Sequence, residues 1–191
     1  IPEKPVVLDP DGKYVALTFD DGPHADVTPR ILEILSQHEA RATFYMLGSQ
    51  VEYYPSIAKQ VLEEGHEIGD HTLSHKDLTR LNQEQIKNEI QISSNHILEA
   101  TGSLPKSLRP PYGAFNDSVR QIVQNLELPV IMWSVDSLDW KSRNVQAINH
   151  EVMTTVHPGA IILLHDIHAT TADALPQLLT NLENEGYEFL T

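Results

Sequence analysis

The chain alternates short apolar runs with longer amphipathic stretches, and that alternation leaves few folds open to it. Residues 14–19 read YVALTF, a run suited to a buried strand. Residues 27–38 then place Ile31, Leu32, Ile34 and Leu35 at helical spacing. The pair of signals recurs. Strands are expected at 42–47, 66–69, 107–109, 130–135, 160–164 and 187–190, and helices at 56–64, 83–100, 116–125, 145–156 and 171–183. Ile86, Ile90, Ile97 and Leu98 give the helix at 83–100 one apolar side. Gly65 and Gly102 end two helices, Asn116 caps another, and Pro110 and Pro111 stop the fourth strand. Apolar strands between helices imply a parallel sheet covered by helices. Seven such strands point to an α/β fold, a distorted (β/α) barrel of about seven parallel strands. An open doubly wound sheet is the alternative that pattern alone leaves standing. Residues 1–13 hold three prolines and read as an N-terminal arm or the end of a linker, with one domain at 14–191. Ile1 follows no methionine and Thr191 comes just after a strand, so the sequence reads as a processed piece with a last helix trimmed away.

Composition removes several function classes. Thirteen Lys and Arg stand against 27 Asp and Glu, a net charge of −14. That argues against a nucleic-acid partner and against docking on anionic lipid. No apolar run approaches the ~20 residues that span a bilayer. Cysteine is absent, so a tightly held metal must use His, Asp and Glu, and there are ten histidines to supply it.

The chemistry-bearing residues sit where the expected strands end. Thr18, Asp20, Asp21, Gly22 and Pro23 close the first strand; His71 and His75 follow the third. Arg109, Pro110, Pro111, Tyr112 and Gly113 follow the fourth, Asp136 and Asp139 the fifth, and His165 and Asp166 the sixth. In a parallel barrel these ends share one rim, and active sites are built there. His71 and His75 stand four apart and can face one point on a helix or tight turn. With one carboxylate they make an open two-His, one-Asp metal site. Asp20 and Asp21 are adjacent, so one can bind the metal while the other stays free as a base. Each cluster alone has a plainer reading: Asp-Asp-Gly as a turn, two histidines as surface residues, Arg-Pro-Pro-Tyr-Gly as a loop. Their succession at consecutive strand ends is what coincidence explains poorly.

The five clusters, in this order, resemble the polysaccharide deacetylase family, also called carbohydrate esterase family four. The resemblance runs from Tyr14 to Thr191 and makes that stretch a catalytic domain. Residues 18–23 match the family's first motif in full; residues 71–75 match the second, except that Lys76 replaces its final proline. The resemblance implies roles. Asp20 would be the catalytic base, and Asp21, His71 and His75 the ligands of one divalent metal, zinc in most members and cobalt or another ion in some. Arg109 would orient Asp20. The Tyr112 N–H would stabilise the oxyanion. His165 would be the acid that protonates the leaving amine, with Asp139 raising its pKa. Trp140 and Leu163 would line the pocket around the acetyl methyl, with Pro111 among the substrate-binding residues. Amide hydrolysis needs those parts, because charge develops on the carbonyl oxygen and the amine leaves poorly unless protonated. Trp133, inside an expected strand, reads as core, as does Phe44. Tyr53 and Tyr54 could stack on sugars or simply pack. His24 is assigned no role, and His168 carries only a weak case for a substrate contact.

The expected activity is deacetylation of N-acetylated sugars of a polymer, releasing acetate. Peptidoglycan N-acetylglucosamine is the first choice, on overall resemblance at 47–54 (LGSQVEYY) and 135–143 (VDSLDWKSR). Chitin oligomers come second and acetylated xylan third. An inactive carbohydrate-binding module on the same scaffold is the alternative from another class. The expected setting is extracellular or wall-associated, exported by a signal or anchor outside this sequence, with the domain monomeric and not itself touching the membrane.

Overall fold

The computed structural model describes residues 8–191. Residues 1–7 of the expected arm lie outside the described residues.

β1 (Lys13–Asp20) is the hub of the sheet, and its last four residues are buried. Buried backbone must be hydrogen-bonded, and β1 is paired on both flanks. β5 (Ala160–His165) runs along one flank, from Val15 to Asp20. On the other flank β6 (Tyr187–Leu190) covers residues 13–16 and β2 (Thr43–Met46) covers residues 18–20. β3 (Glu67–Asp70) follows β2, and the two-residue β4 (Val135–Asp136) follows β5. The order is β3-β2-β1-β5-β4 with β6 beside β1, and every pair is parallel.

Isolated bridges close the circle between β3 and β4. Leu108 bridges Asp70 on one side and Val130 on the other. Ser134 N–H then donates to the Ile161 carbonyl, which brings that segment onto β5. The sheet is a distorted barrel of six strands, not seven. The strand expected at 107–109 shrinks to the single bridging residue Leu108 because Pro110 and Pro111 have no N–H to continue a ladder. The strand expected at 130–135 survives only at its ends. Between them the carbonyls of Ile131 and Met132 accept from the Arg109 side chain instead of a neighbouring strand.

Helices wrap the barrel: α1 (Val27–Gln37), α3 (Pro55–Glu63), α4 (Gln83–Thr101), α5 (Asp117–Asn125), α7 (Val145–Thr155) and α8 (Ala169–Asn184). α4 starts with a reciprocal Asn82–Gln85 capping box and ends at Gly102 in the left-handed region. Asn116 caps α5 by accepting from Val119 N–H. Leu98 points outward from α4, leaving Ile86, Ile90 and Ile97 as its buried apolar face. The main core lies between the strands and α1, α3, α7 and α8, with a second cluster of Leu78, Ile86, Ile90, Leu108, Val119, Ile122 and Val123 under α4 and α5. Two short helices, α2 (Gly48–Tyr53) and α6 (Asp139–Ser142), are too brief to leave a periodic signal in the sequence. No helix among the described residues is long and apolar enough to cross a membrane.

Candidate active site

The carboxyl ends of the strands converge as a parallel barrel requires. β1 and β5 are in register so that Asp20 stands opposite His165. Residues 145 apart in sequence thus become lateral neighbours on one rim. They line a common cavity of about 400 Å³ together with Asp21, His71, His75, Tyr112, Trp140 and Leu163.

Backbone conformation sends the adjacent aspartates different ways. Asp20 ends the strand and is buried, whereas Asp21 turns into the left-handed region at φ 79°. Asp20 Oδ1 accepts from the Arg109 guanidinium at 2.8 Å. That arginine is fully buried, and all three of its guanidinium nitrogens donate. Besides Asp20 it donates to Thr18 Oγ1 at 2.7 Å, Ile131 O at 3.2 Å and Met132 O at 3.0 Å, and its plane lies 4.1 Å from the Tyr45 ring centre. One residue therefore orients Asp20 and fills the gap in the barrel wall.

Asp21 faces the two histidines. Its Oδ1 lies 3.3 Å from His71 Nε2 and 3.3 Å from His75 Nε2. Two ligand atoms held at ~2.1 Å by one tetrahedral ion stand about 3.4 Å apart, so this spacing fits such an ion. The same Oδ1 is buried with no hydrogen-bond partner, a deficit that a cation removes. His71 Nδ1–H donates to the Arg109 carbonyl at 2.7 Å, which turns the Nε2 lone pair toward the site. Burial pulls the His71 imidazole down, but Asp20 and Asp21 outweigh it and hold it above its ordinary value. Burial likewise raises Asp21, and His71 with the other imidazoles more than offsets it. A divalent ion would take the place that those protons fill. The two histidines lie on a loop rather than a helix, with Thr72 and His75 both at positive φ. Asp21, His71 and His75 form the group able to hold a metal ion among the described residues.

The loop that carries His75 is fixed by a residue the sequence reading passed over. Glu89 accepts from Ser74 N–H at 2.9 Å, Ser74 Oγ at 2.7 Å and Lys76 Nζ at 3.0 Å. Lys76, standing where the family motif has proline, is thus tied down by an ion pair. A signal was there: Glu89 interrupts the apolar face Ile86–Ile90–Ile97.

Tyr112 also has a left-handed backbone, at φ 60°. Such strain in a non-glycine residue marks sites where geometry is imposed. Gly113 and Ala114 N–H close onto Pro110 and Pro111, and the N–H of Tyr112 has no protein acceptor among the described residues. Pro111 is buried at the head of this turn and is not part of the cavity wall.

His165 is clamped from below. Its Nδ1 meets Asp139 Oδ1 at 2.7 Å, and its backbone N–H donates to Asp139 Oδ2 at 2.8 Å. Thr171 Oγ1 and Trp140 N–H complete the shell of the fully buried Asp139. Burial alone would lower the His165 imidazole, but the Asp139 bond and charge, with Asp20 and Asp21 beyond, push it up to about 9. With Nδ1 engaged, Nε2 is the nitrogen left to present a proton. Asp166 has a different fate. It is buried against Gly22, accepts from Thr28 Oγ1 at 2.6 Å, and is pushed up to about 7 by burial and by Asp21 and Asp20.

Two expectations about aromatics separate here. Phe44 is core, but Trp133 lines the cavity, because residues 131–134 are not a regular strand. Tyr53 is exposed and neither it nor Tyr54 reaches the cavity. Asp136, from the cluster after the fifth expected strand, and His168 also reach it. Thr171 acts beneath it, and its sequence neighbourhood gave no motif to find it by.

Known proteins share this arrangement. The family profile for polysaccharide deacetylase matches residues 8–131. A peptidoglycan-N-acetylglucosamine deacetylase of Listeria monocytogenes is 44% identical over 191 residues, covering 100% of this chain and 40% of the relative. A peptidoglycan-N-acetylmuramic acid deacetylase of Bacillus subtilis is 40% identical over 188 residues, 98% of this chain and 40% of the relative. The chain therefore spans about two fifths of the length of these curated relatives. A solved structure of that Bacillus subtilis peptidoglycan deacetylase superposes with a TM-score of 0.90 at 41% identity, covering 95% of this chain and 89% of that one. Motifs, barrel and likeness over nearly the whole chain agree: it belongs to the polysaccharide deacetylase family.

Proposed function

We propose that this chain is a metal-dependent N-deacetylase of peptidoglycan that removes acetate from N-acetylglucosamine units. The observation that carries it is the buried, unpartnered Oδ1 of Asp21 between His71 and His75, flanked by Arg109-bound Asp20 and Asp139-bound His165. Two imidazoles and one carboxylate suit zinc. Asp21, His71 and His75 would hold the ion, which would supply Lewis acidity toward the acetyl carbonyl and a nearby water.

The residues do the rest. Asp20, held by Arg109, accepts a proton from the attacking water as its oxygen adds to the acetyl carbon. The Tyr112 N–H donates to the oxygen on which charge develops. His165 Nε2 gives its proton to the sugar nitrogen as the C–N bond breaks, yielding acetate and a free amine. Leu163 and Trp140 enclose the methyl and exclude bulk water. The N-acetylmuramic acid named for the Bacillus subtilis relative keeps that sugar in view as a substrate. A wall polymer places the domain outside the cell, with residues 14–191 working as a monomeric catalytic unit.

Acetate release is measured on peptidoglycan, chitooligosaccharide and acetylxylan, with and without chelator. Release from peptidoglycan that chelator abolishes and zinc restores is expected. Release from xylan alone overturns the substrate, and release from none overturns the enzyme in favour of a binding module. Asp20→Asn should lose turnover with bound metal retained.

A further inference from the structure

The cavity wall holds one imidazole that the reaction above does not use. His168 precedes α8, is part-buried, and its ring centre lies 6.0 Å from that of His165. Its Nδ1 is 2.8 Å from an Arg143 guanidinium nitrogen. Guanidinium can only donate, so Nδ1 accepts, and the ring's proton belongs on Nε2. That N–H has no acceptor among the described residues, although the ring lines the cavity.

Arg143 is itself held. Its Nε donates to the Trp140 carbonyl at 3.0 Å, and its backbone sits in the left-handed region at φ 46°. A non-glycine residue in that conformation needs compensating contacts. The Trp140 and His168 bonds are such contacts, and they tie the α6 loop to the entrance of α8. His165 and His168 are thereby assigned different work. Asp139 holds one as a proton donor to nitrogen, while Arg143 holds the other neutral as a fixed hydrogen-bond donor. Burial and the Arg143 charge both push His168 below its ordinary value, in keeping with that division.

We propose that His168, fixed in its Nε2–H tautomer by Arg143, is a substrate-binding residue that donates to a ring oxygen substituent of the sugar bearing the reacting acetamide. The proposal rests on the deacetylase reading. In a 2-acetamido sugar both carbons beside the amine-bearing carbon carry oxygen. A sugar whose nitrogen meets His165 therefore presents acceptors beside it, and His168 is the neighbouring cavity ring, 6.0 Å away centre to centre. A neutral donor suits that acceptor, and it does not compete with His165 for the role of acid.

Two readouts test it. Long-range ¹⁵N–¹H correlation on histidine-labelled protein at neutral pH reads the tautomer without substrate. His168 should show the Nε2–H form, and Arg143→Met should turn it into a mixture. A charged or Nδ1–H ring in the wild type overturns the assignment. Steady-state deacetylation of a soluble peptidoglycan fragment bearing N-acetylglucosamine reads the contact. His168→Ala should lower kcat/KM by roughly 2- to 13-fold, the range of one neutral hydrogen bond, chiefly through KM. His168→Gln, which carries an amide N–H at the reach of Nε2, should recover most of the loss. Equal loss in Ala and Gln, or a fall in kcat with a lowered melting temperature, marks a structural role and overturns the contact. Unchanged kcat/KM in His168→Ala does the same. No turnover in the wild type overturns the deacetylase reading, and the contact with it, while the tautomer measurement still judges Arg143.

Discussion

Asp139→Asn isolates what holds the proton on His165. The imidazole stands at about 9 against an ordinary 6.5, a difference of roughly 3.4 kcal/mol in favour of the charged ring. Asp139 supplies the largest share of that rise through its hydrogen bond and charge, with Asp20 and Asp21 adding the remainder. Asparagine keeps the shape and removes the charge. It also turns an N–H₂ toward one of two donor pairs, Trp140 N–H with His165 Nδ1–H or His165 N–H with Thr171 Oγ1, so some stability is lost as well. The position of the alkaline limb of kcat/KM is therefore the diagnostic quantity, because it does not depend on the fraction folded. A ring titrating at 9 is about 90% protonated at pH 8, and one at 6.5 about 3%, so activity at pH 8 should fall about 30-fold. The variant's limb should move down by about two pH units or more, measured as acetate release between pH 6 and 10 with the metal saturating. A limb that stays in place while activity falls uniformly would refute the Asp139–His165 pairing as the source of the acid's proton.

Three further perturbations follow from the same contacts. Arg109→Met removes donors from Asp20, Thr18, Ile131 and Met132 at once and leaves a buried carboxylate unpaired; a loss of about 3–5 kcal/mol in urea unfolding is expected, and a loss under 1 kcal/mol would show that the barrel wall closes without it. Gly22→Ala sets a Cβ on the Asp166 carboxyl, so the turn carrying Asp21 must shift; weaker metal binding by calorimetry is expected, and unchanged affinity would refute the close fit. Asp166→Asn should stabilise the chelated protein at pH 8 and not at pH 4. The folded carboxyl is raised from 3.8 to about 7, so its cost is absent below pH ~4, grows as the pH rises and is complete above ~7. Equal effects at the two pH values would contradict the buried charge as the cause.

Legibility in the sequence followed how local each determinant is. β1 and β5 were readable because buried strands are written as apolar runs, and α1, α3, α5 and α7 because one face repeats. The Asp21–His71–His75 cluster was readable for a related reason. The absence of cysteine confined ligands to His and carboxylate, and His71 and His75 stood at a strand end. The choice between Asp20 and Asp21 was not written there in bare chemical terms. It turns on Arg109, 89 residues away, capturing one carboxylate while a left-handed backbone swings the other out.

The errors share that origin. Residues 130–135 look like a strand because their apolar content is right, yet the Ile131 and Met132 carbonyls are spent on the Arg109 side chain. That irregular backbone is what leaves Trp133 on the cavity wall instead of in the core. A regular strand over all of 130–135 would have paired those carbonyls along the ladder and left two of the arginine's donors without partners. Arg109 would then be a buried cation short of hydrogen bonds, which costs more than one short strand contributes. The shortened strand and the well-held Asp20 are thus one structural fact. A substitution that restored regular pairing at 131–134 should weaken the hold on Asp20 and so lower turnover without touching any residue in the cavity's metal cluster.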